Sequence, residues 1–277
     1  MEINGWRYYK HMMLPTTVPH EVPNLEPIRS KVIFKEYKKA FVAKYSTDWD
    51  IQRETNWWYV IKDTPFDVST LKAKRRYEIN KGLKNFDIRR FDVHSCPERL
   101  YEIMQKAYAT WPSKYRPSVD YEKFIKGFTS WDVYIAYGAY SKADGSLCGY
   151  ALLQPYDGCL DFCVLRVIPE MENLGINAAL VAGLLEDQRE FLCSGGYISD
   201  GSRSVMHETA FQDYLEKYFD FRKAYCKLNM VYSPIFAPIV RVLYPFRRVL
   251  SKLDKISAVS KISAILTLEE IAREQKE

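Results

Sequence analysis

The chain has 277 residues, of which 47% are hydrophobic and 27% are charged, and its formal net charge is +5. This composition excludes an intrinsically disordered chain and a disulfide-stabilised miniprotein, because the apolar sequence is sufficient for one large core or two smaller ones. The mild positive charge does not by itself indicate a nucleic-acid-binding protein, and no DNA partner is predicted. No apolar run reaches about 18 residues and no signal peptide is recognisable, so we expect a cytoplasmic protein.

Residues 1–85 are predicted to form an N-terminal extension. Four prolines recur every four residues near its start: Pro15, Pro19, Pro23 and Pro27. This spacing favours an extended segment over residues 1–29, because proline interrupts helices and central strands. Residues 32–45 and 57–63 have the composition of strands. Asp67 or Ser69 can then cap a helix that is expected to end near Lys84.

The predicted helix holds the most basic stretch of the chain. Its cationic residues are Lys72, Lys74, Arg75, Arg76, Lys81 and Lys84. Three interpretations stay open: a solvated helix face, a surface for nucleic acid, or a site for an anionic substrate or cofactor phosphate. The segment from Lys72 to Lys84 resembles the basic helix of the Fem-type acyltransferases, which aminoacylate cell-wall precursors. This resemblance implies aminoacyl-tRNA as a donor and tRNA as a partner.

Strands and helices are predicted to follow one another from Phe86 to Tyr232. The expected order is a strand over 86–92, helices over 97–110 and 118–128, strands over 132–141, 146–155 and 159–168, a helix ending near residue 192, a strand over 197–200, a helix over 209–219, and a strand over 221–232. The pair Asp144-Gly145 between two apolar runs is typical of a hairpin turn. The six cysteines show no zinc-ligand spacing, so we predict free thiols and no metal site.

The segment from Cys159 to Asp200 carries the chemically most informative pattern. A buried strand ends at Pro169, and a short acidic loop with Gly175 leads into a long apolar helix. The N-terminus of such a helix has unpaired N–H groups and a partial positive charge, so it can bind a phosphate or pyrophosphate.

This strand, loop and helix resemble the acyl-CoA site of the GNAT superfamily of N-acyltransferases. In that family, Gln or Arg, two residues, Gly, one residue, and Gly or Ala follow the fourth strand. Gly175 fits the pattern, whereas Glu172 and Asn177 depart from it. The resemblance implies acetyl-CoA or another acyl-CoA as co-substrate. It places seven residues at the cofactor: Val167, Ile168, Leu174, Gly175, Ile176, Asn177 and Ala178.

The GNAT resemblance extends through the element order of residues 86–232 and implies the fold. We expect an α/β (α+β) protein with a GNAT-like mixed, mostly antiparallel twisted sheet flanked by helices. Residues 1–85 would add a strand and helix extension, and residues 233–277 would add a helical tail. The three predicted domains are therefore 1–85, 86–232 and 233–277.

Candidate catalytic and substrate-binding residues lie mainly after the strand that ends near Asp200. That strand should end at the crevice where open α/β sheets bind ligands, so Asp200 and Arg203 are candidates for binding the acceptor. Arg203 would bind a carboxylate or phosphate of that acceptor. Acyl transfer to an amine needs a proton acceptor, for which Asp161, His207 and Glu208 are candidates. In the GNAT family the leaving thiolate often takes a proton from a tyrosine of the last helix, a role that the resemblance assigns to Tyr214.

The tail, residues 233–277, is basic and amphipathic over Ile239 to Ile256. Two interpretations stay open: a helix packed on the protein with a solvated basic edge, or a helix that lies on the inner face of a membrane. The second would give the protein a peripheral membrane contact.

The predicted function is transfer of an acyl group from acyl-CoA to the amine of an amino sugar or of a cell-envelope or polysaccharide precursor, either a small molecule or a lipid-linked one. Two alternatives stay open: Fem-type transfer from aminoacyl-tRNA, and a non-catalytic GNAT fold that serves as an interaction module, which the departures at Glu172 and Asn177 favour.

Overall fold

A computed structural model describes residues 2–113, 116–128, 130–205, 210–253 and 257–275. The strands are β1 (Glu2–Ile3), β2 (Trp6–Tyr9), β3 (Met12–Pro15), β4 (Val42–Thr47), β5 (Trp58–Lys62), β6 (Phe86–Arg90), β7 (Ile135–Ser141), β8 (Leu147–Tyr156), β9 (Cys159–Val167), β10 (Tyr197–Ser202), β11 (Arg222–Tyr225) and β12 (Lys227–Tyr232). The helices are α1 (Glu26–Arg29), α2 (Val32–Glu36), α3 (Ala73–Asn85), α4 (Pro97–Ala109), α5 (Tyr121–Phe128), α6 (Ile176–Asp187), α7 (Arg189–Cys193), α8 (Ala210–Phe219), α9 (Phe236–Leu243), α10 (Arg247–Leu250) and α11 (Ser257–Glu274). The mixed α/β architecture predicted from the sequence is confirmed.

Seven strands form one sheet in the order β11-β5-β10-β9-β8-β7-β6. The strands from β6 to β9 are antiparallel to their neighbours, and β10 is parallel to β9. The predicted hairpin turn joins β7 to β8. Gly145 has a φ of +74° there, which glycine adopts without strain, and the Asp144 carboxylate accepts a hydrogen bond from the Ser146 N–H at 3.0 Å.

The remaining five strands form a second sheet in the order β1-β2-β3-β4-β12. Residues 1–29 were expected to be extended and irregular, but three of these strands and α1 lie there. Residues 32–45 were expected to be one strand, but α2 occupies Val32–Glu36. Ile33 and Phe34 of α2 are buried in a cluster with Trp6 and Met13, so packing outweighs the β-propensity of this segment.

Contacts divide the chain into two compact units. The first unit comprises Met1–Val60, Ser202–Ala210 and Lys223–Glu277, and the second comprises Ile61–Gly201 and Phe211–Arg222. This division groups segments that are distant in sequence, whereas the three predicted domains are continuous ranges. The division into 1–85, 86–232 and 233–277 stays a prediction.

The core of the second unit is built around α6. Eight of its residues are buried: Ile176, Ala178, Ala179, Leu180, Val181, Ala182, Leu184 and Leu185. The helix contacts β6, β7, β8 and β9 of the sheet and also packs against α3. A helix that is apolar on nearly all sides is stable only when both faces are covered, and here the sheet and α3 cover them.

The core of the first unit includes the end of the tail. Leu268, Ile271 and Ala272 of α11 are buried in a cluster with residues of β4 and β12. One face of the helix from Leu268 onward therefore packs into the core of the first unit. In the part of the chain that the structure describes, no helix is long and apolar enough to cross a bilayer.

Candidate functional site

The strands β9 and β10 separate after a short parallel pairing. Their register covers three residue pairs, which begin with Tyr197 opposite Cys159 and end with Ser199 opposite Asp161. On its other edge, β9 stays paired with β8 as far as Val167. Beyond Asp161, the β10-facing edge of β9 therefore has no strand partner among the described residues. An extended ligand could form hydrogen bonds with this edge.

Asp200 lies on β10, one residue beyond the last paired position. Burial raises the pKa of its carboxyl to about 7, and nearby Asp161 adds to this increase while a hydrogen bond from Gln212 opposes it. Gln212, on α8, also donates to the Asp200 backbone carbonyl at 3.3 Å. A carboxyl that titrates near neutral pH beside a gap in a sheet is suited to accept a proton from a ligand.

Asp161, the other carboxylate of this region, lies at the last paired position of β9. Tyr134 and Cys163 are its neighbours. Burial, with Cys163 and Asp161 close by, raises the pKa of the Tyr134 phenol. The structure thus places two of the predicted site residues, Asp161 and Asp200, at the start of the gap between β9 and β10.

Tyr214 lies on α8 within a cluster of aromatic rings. Its ring centroid lies 6.2 Å from that of Phe211, 5.0 Å from Tyr218 and 5.5 Å from Phe219. Phe211 in turn contacts Phe162 of β9 at 5.5 Å. Burial raises the pKa of the Tyr214 phenol above its ordinary value. The phenol is therefore protonated at neutral pH, as a proton donor has to be, but its raised pKa makes it a weaker acid than an exposed tyrosine.

The glycine of the acyl-CoA pattern lies in a helix crossing. Gly175 is the residue before α6 and has a φ of +83°. A Cβ at Gly175 would meet the backbone N and Cα of Gly82 on α3 at 2.9 and 3.0 Å, and a Cβ at Gly82 would overlap the Gly175 carbonyl oxygen. Both glycines are therefore needed for the packing of α3 on α6, whether or not α6 binds a ligand.

The other predicted cofactor residues differ in their exposure. Four are buried: Val167, Ile168, Ile176 and Ala178. Leu174 is exposed, and its carbonyl accepts a hydrogen bond from the Asn85 side chain at 3.2 Å. The Oδ1 atom of Asn177 is buried without a hydrogen-bond partner among the described residues. The role of all these residues in binding acyl-CoA stays a prediction.

The basic residues of α3 lie next to this crossing. Lys72, Lys74, Arg76 and Lys84 are exposed, and Arg75 and Lys81 are half-buried. Arg76 donates to the Ser69 carbonyl at 3.0 Å, and Arg75 lies over the Tyr218 ring at 5.8 Å. None of the six cations forms an ion pair with another described residue. The helix therefore presents concentrated positive charge, which its single carboxylate, Glu78, offsets only in part.

The predicted acceptor loop is described only in part. Arg203 belongs to the first unit. Its Nη1 donates to the Asn56 carbonyl at 2.7 Å, and its guanidinium lies 4.6 Å from the Trp58 ring centroid. His207 and Glu208, two of the candidate proton acceptors, lie outside the described residues.

Arg166 is a candidate that the sequence pattern does not indicate. Its guanidinium carbon lies 5.1 Å from the Tyr108 ring centroid and 5.3 Å from that of Trp111. Its Nε is buried without a hydrogen-bond partner, and no ion pair to Arg166 occurs among the described residues. Such a cation can bind an anionic group. The available signal was an arginine inside the mostly apolar strand β9.

Comparison with known proteins shows similarity at the level of structure only. No family model and no curated protein sequence matches the chain. FemX is similar with a TM-score of 0.53 and 8% identity, over 86% of this chain and 85% of FemX. The C-terminal domain of a putative lysylphosphatidylglycerol synthetase from Agrobacterium fabrum has a TM-score of 0.52 and 10% identity, over 85% and 82% of the two chains.

The structure of L-PGS from Bacillus licheniformis is also similar, with a TM-score of 0.50 and 12% identity, over 86% of this chain and 83% of that one. At such low identity these similarities show the fold and nothing finer. The fold is GNAT-like, as the sequence predicts, and the similarity extends over more than the segment 86–232.

Proposed function

We propose that this protein is an acyl-group transferase whose acceptor is the amine of an amino sugar or of a cell-envelope precursor. The observation that carries the proposal is the gap between β9 and β10 with Asp200 at its start. An extended acyl donor fits along the unpaired edge of β9. Asp200 accepts the proton of the attacking amine as the new C–N bond forms, and Tyr214 protonates the leaving oxygen or sulfur as the old acyl bond breaks.

The proposed donor is aminoacyl-tRNA. The unpaired cations of α3 support this assignment, because a polyanionic donor gains affinity from each phosphate that a basic side chain neutralises. The fold similarity is consistent with it, since one relative is named for lysylphosphatidylglycerol, a lipid that carries a lysyl group. The resemblance of the segment from Lys72 to Lys84 to Fem-type enzymes implies the same donor.

Acyl-CoA is the second candidate donor, and the free edge of β9 favours it. The pantetheine arm carries amide groups that can pair with such an edge. The contact between Gly82 and Gly175 weighs against it, because the backbone of α3 fills the space beside Gly175 where the pattern would have a pyrophosphate approach.

An anionic acceptor is proposed to contact Arg203. Charge-assisted hydrogen bonds contribute about 1.5–3 kcal/mol, so Arg203→Gln should raise the acceptor KM about 10-fold or more with donor affinity unchanged. If the variant instead had a lower melting temperature and an unchanged acceptor KM, the role of Arg203 would be structural, through its contacts with Asn56 and Trp58.

The donor assignment is tested by binding of unfractionated tRNA, measured by fluorescence anisotropy at several salt concentrations. The variant replaces three exposed lysines, one directly before α3 and two within it: Lys72→Gln, Lys74→Gln and Lys84→Gln. Each lost phosphate contact should lower the salt slope by about 1, and we expect affinity to fall at least tenfold.

The matched control removes the same charge from another exposed segment: Lys35→Gln, Lys38→Gln and Lys39→Gln. It should bind tRNA as the wild type does. A wild-type protein that does not bind tRNA, or a control that loses as much affinity as the α3 variant, contradicts the assignment. If the tRNA assignment fails and calorimetry shows that the wild type binds CoA, acyl-CoA becomes the favoured donor.

A further inference from the structure

Five large apolar side chains form an exposed stripe in the first unit. They follow one another at intervals of four, three, four and three residues along α9, α10 and the short helical turns beside them, so they share one face. The exposed fractions are 84% for Ile235, 43% for Ile239, 66% for Val242, 58% for Phe246 and 60% for Val249. We call this surface the apolar stripe.

The opposite side of the same segment is fixed to the first unit. Val240 is buried, and the Nε of Arg247 donates to Oε1 of Glu270 on α11 at 2.7 Å. The Tyr244 ring lies beneath two guanidinium groups, at 4.3 Å from Arg247 and 3.9 Å from Arg273. The segment is therefore anchored on one side, and the apolar stripe is its outward face.

The charges beside the apolar stripe have a single sign. Residues 233–253 contain no aspartate or glutamate. Arg241, Arg248 and Lys252 are exposed, and none of them forms an ion pair among the described residues. An apolar stripe whose own segment carries only cations matches a surface that is apolar inside and anionic outside. A bilayer with anionic headgroups has that structure.

We propose that the apolar stripe docks the protein on an anionic lipid bilayer, with α9 and α10 parallel to the membrane plane. The apolar side chains enter the boundary between headgroups and acyl chains, while the three cations contact lipid phosphates. This inference goes beyond the proposed function, since it holds for any reaction that the second unit performs.

The test is co-sedimentation of the full chain with vesicles of phosphatidylcholine alone and with vesicles that contain phosphatidylglycerol as well. We expect binding to the anionic vesicles that weakens as salt rises. The substitutions Val242→Ser, Phe246→Ser and Val249→Ser together should lower the partition coefficient at least about tenfold. Arg241→Gln with Arg248→Gln should lower it roughly fivefold per residue.

Matched controls separate the apolar stripe from general surface effects. Val22 is 62% exposed, close to Val242, so Val22→Ser should leave vesicle binding unchanged. All variants should keep the circular dichroism spectrum of the wild type, because the replaced side chains are exposed. The proposal is overturned if the wild type does not bind anionic vesicles. It is also overturned if Val22→Ser loses as much vesicle binding as the variant with the stripe substitutions. A dimer that the stripe substitutions dissociate, without vesicle binding, also overturns it and assigns the surface to self-association.

Discussion

The Asp200 carboxyl combines burial with a position at the start of the gap between β9 and β10. If it accepts the proton of the acceptor amine, wild-type kcat/KM should rise with pH through about 7 as the carboxyl loses its own proton. Asp200→Asn should lower kcat/KM roughly 100- to 10,000-fold and remove this rise. A pH–rate profile of the two proteins is the measurement, and an unchanged profile in the variant would exclude Asp200 as the base.

The same substitution has an effect on stability that does not depend on catalysis. Since the folded state holds this proton more tightly than the unfolded chain, the stabilisation is complete below about pH 4 and is lost as pH rises through about 7. Asp200→Asn should therefore be more stable than the wild type at pH 8, by on the order of 1–4 kcal/mol, and the difference should be clearly smaller at pH 5.

Urea unfolding at pH 5 and pH 8 measures the difference. Asp213→Asn is the matched control, because Asp213 is exposed on α8, and it should show no such dependence on pH. If Asp200→Asn changed the free energy of unfolding by the same amount at both pH values, folding would not raise the pKa of the Asp200 carboxyl.

Among the elements, α3 and α6 depend on each other through a contact that only glycine permits. Gly82→Ala would place a methyl group on the Gly175 carbonyl oxygen, so α3 would have to move. We expect destabilisation by about 1–3 kcal/mol. Gly127→Ala is the matched control, since a Cβ at that helical position meets nothing within 4 Å.

For Gly127→Ala we expect equal or higher stability, by about 0.5–1 kcal/mol, because alanine has less conformational freedom to lose in a helix. Thermal unfolding of the two variants gives the comparison. If both substitutions had the same effect, the close crossing of α3 and α6 would not be part of the folded protein in solution.

At the scale of the whole molecule, the helix α11 contributes side chains to the core of the first unit. Ile271 of α11 is 5% exposed and lies in the cluster that contains Trp57, Leu228 and Met230. Ile271→Ala should lower the free energy of unfolding by about 2–5 kcal/mol. The fluorescence of tryptophan during urea unfolding reports the change.

Ile239→Ala is the control for this substitution, because it removes the same atoms from an exposed position of the apolar stripe. It should change stability by less than about 0.5 kcal/mol. Equal losses in the two variants would show that α11 does not pack on β12. Because α11 is buried while the apolar stripe is exposed, membrane docking has to be tested by point substitutions. Removal of the whole tail would also remove core residues.

The expectations from sequence were accurate where the signals are local. The Asp144-Gly145 turn and the end of β9 before Pro169 follow from turn chemistry and periodicity, and the structure confirms them. The order of elements from Phe86 to Phe219 is also confirmed, except that the predicted helix ending near residue 192 is divided into α6 and α7. Residues 32–36 were predicted as part of a strand, because β-branched residues favour strands, yet Ile33 and Phe34 complete a core cluster as a helix.

Other properties depend on contacts between residues far apart in the chain. The separation of β9 from β10, the burial that raises the pKa of Asp200 and the crossing at Gly82 and Gly175 join segments that no local pattern links. The amphipathic tail pattern was compatible with a buried or an exposed face. Only the positions of the other elements decide which apolar residues are covered, so Val240 became core while Val242 stayed at the surface.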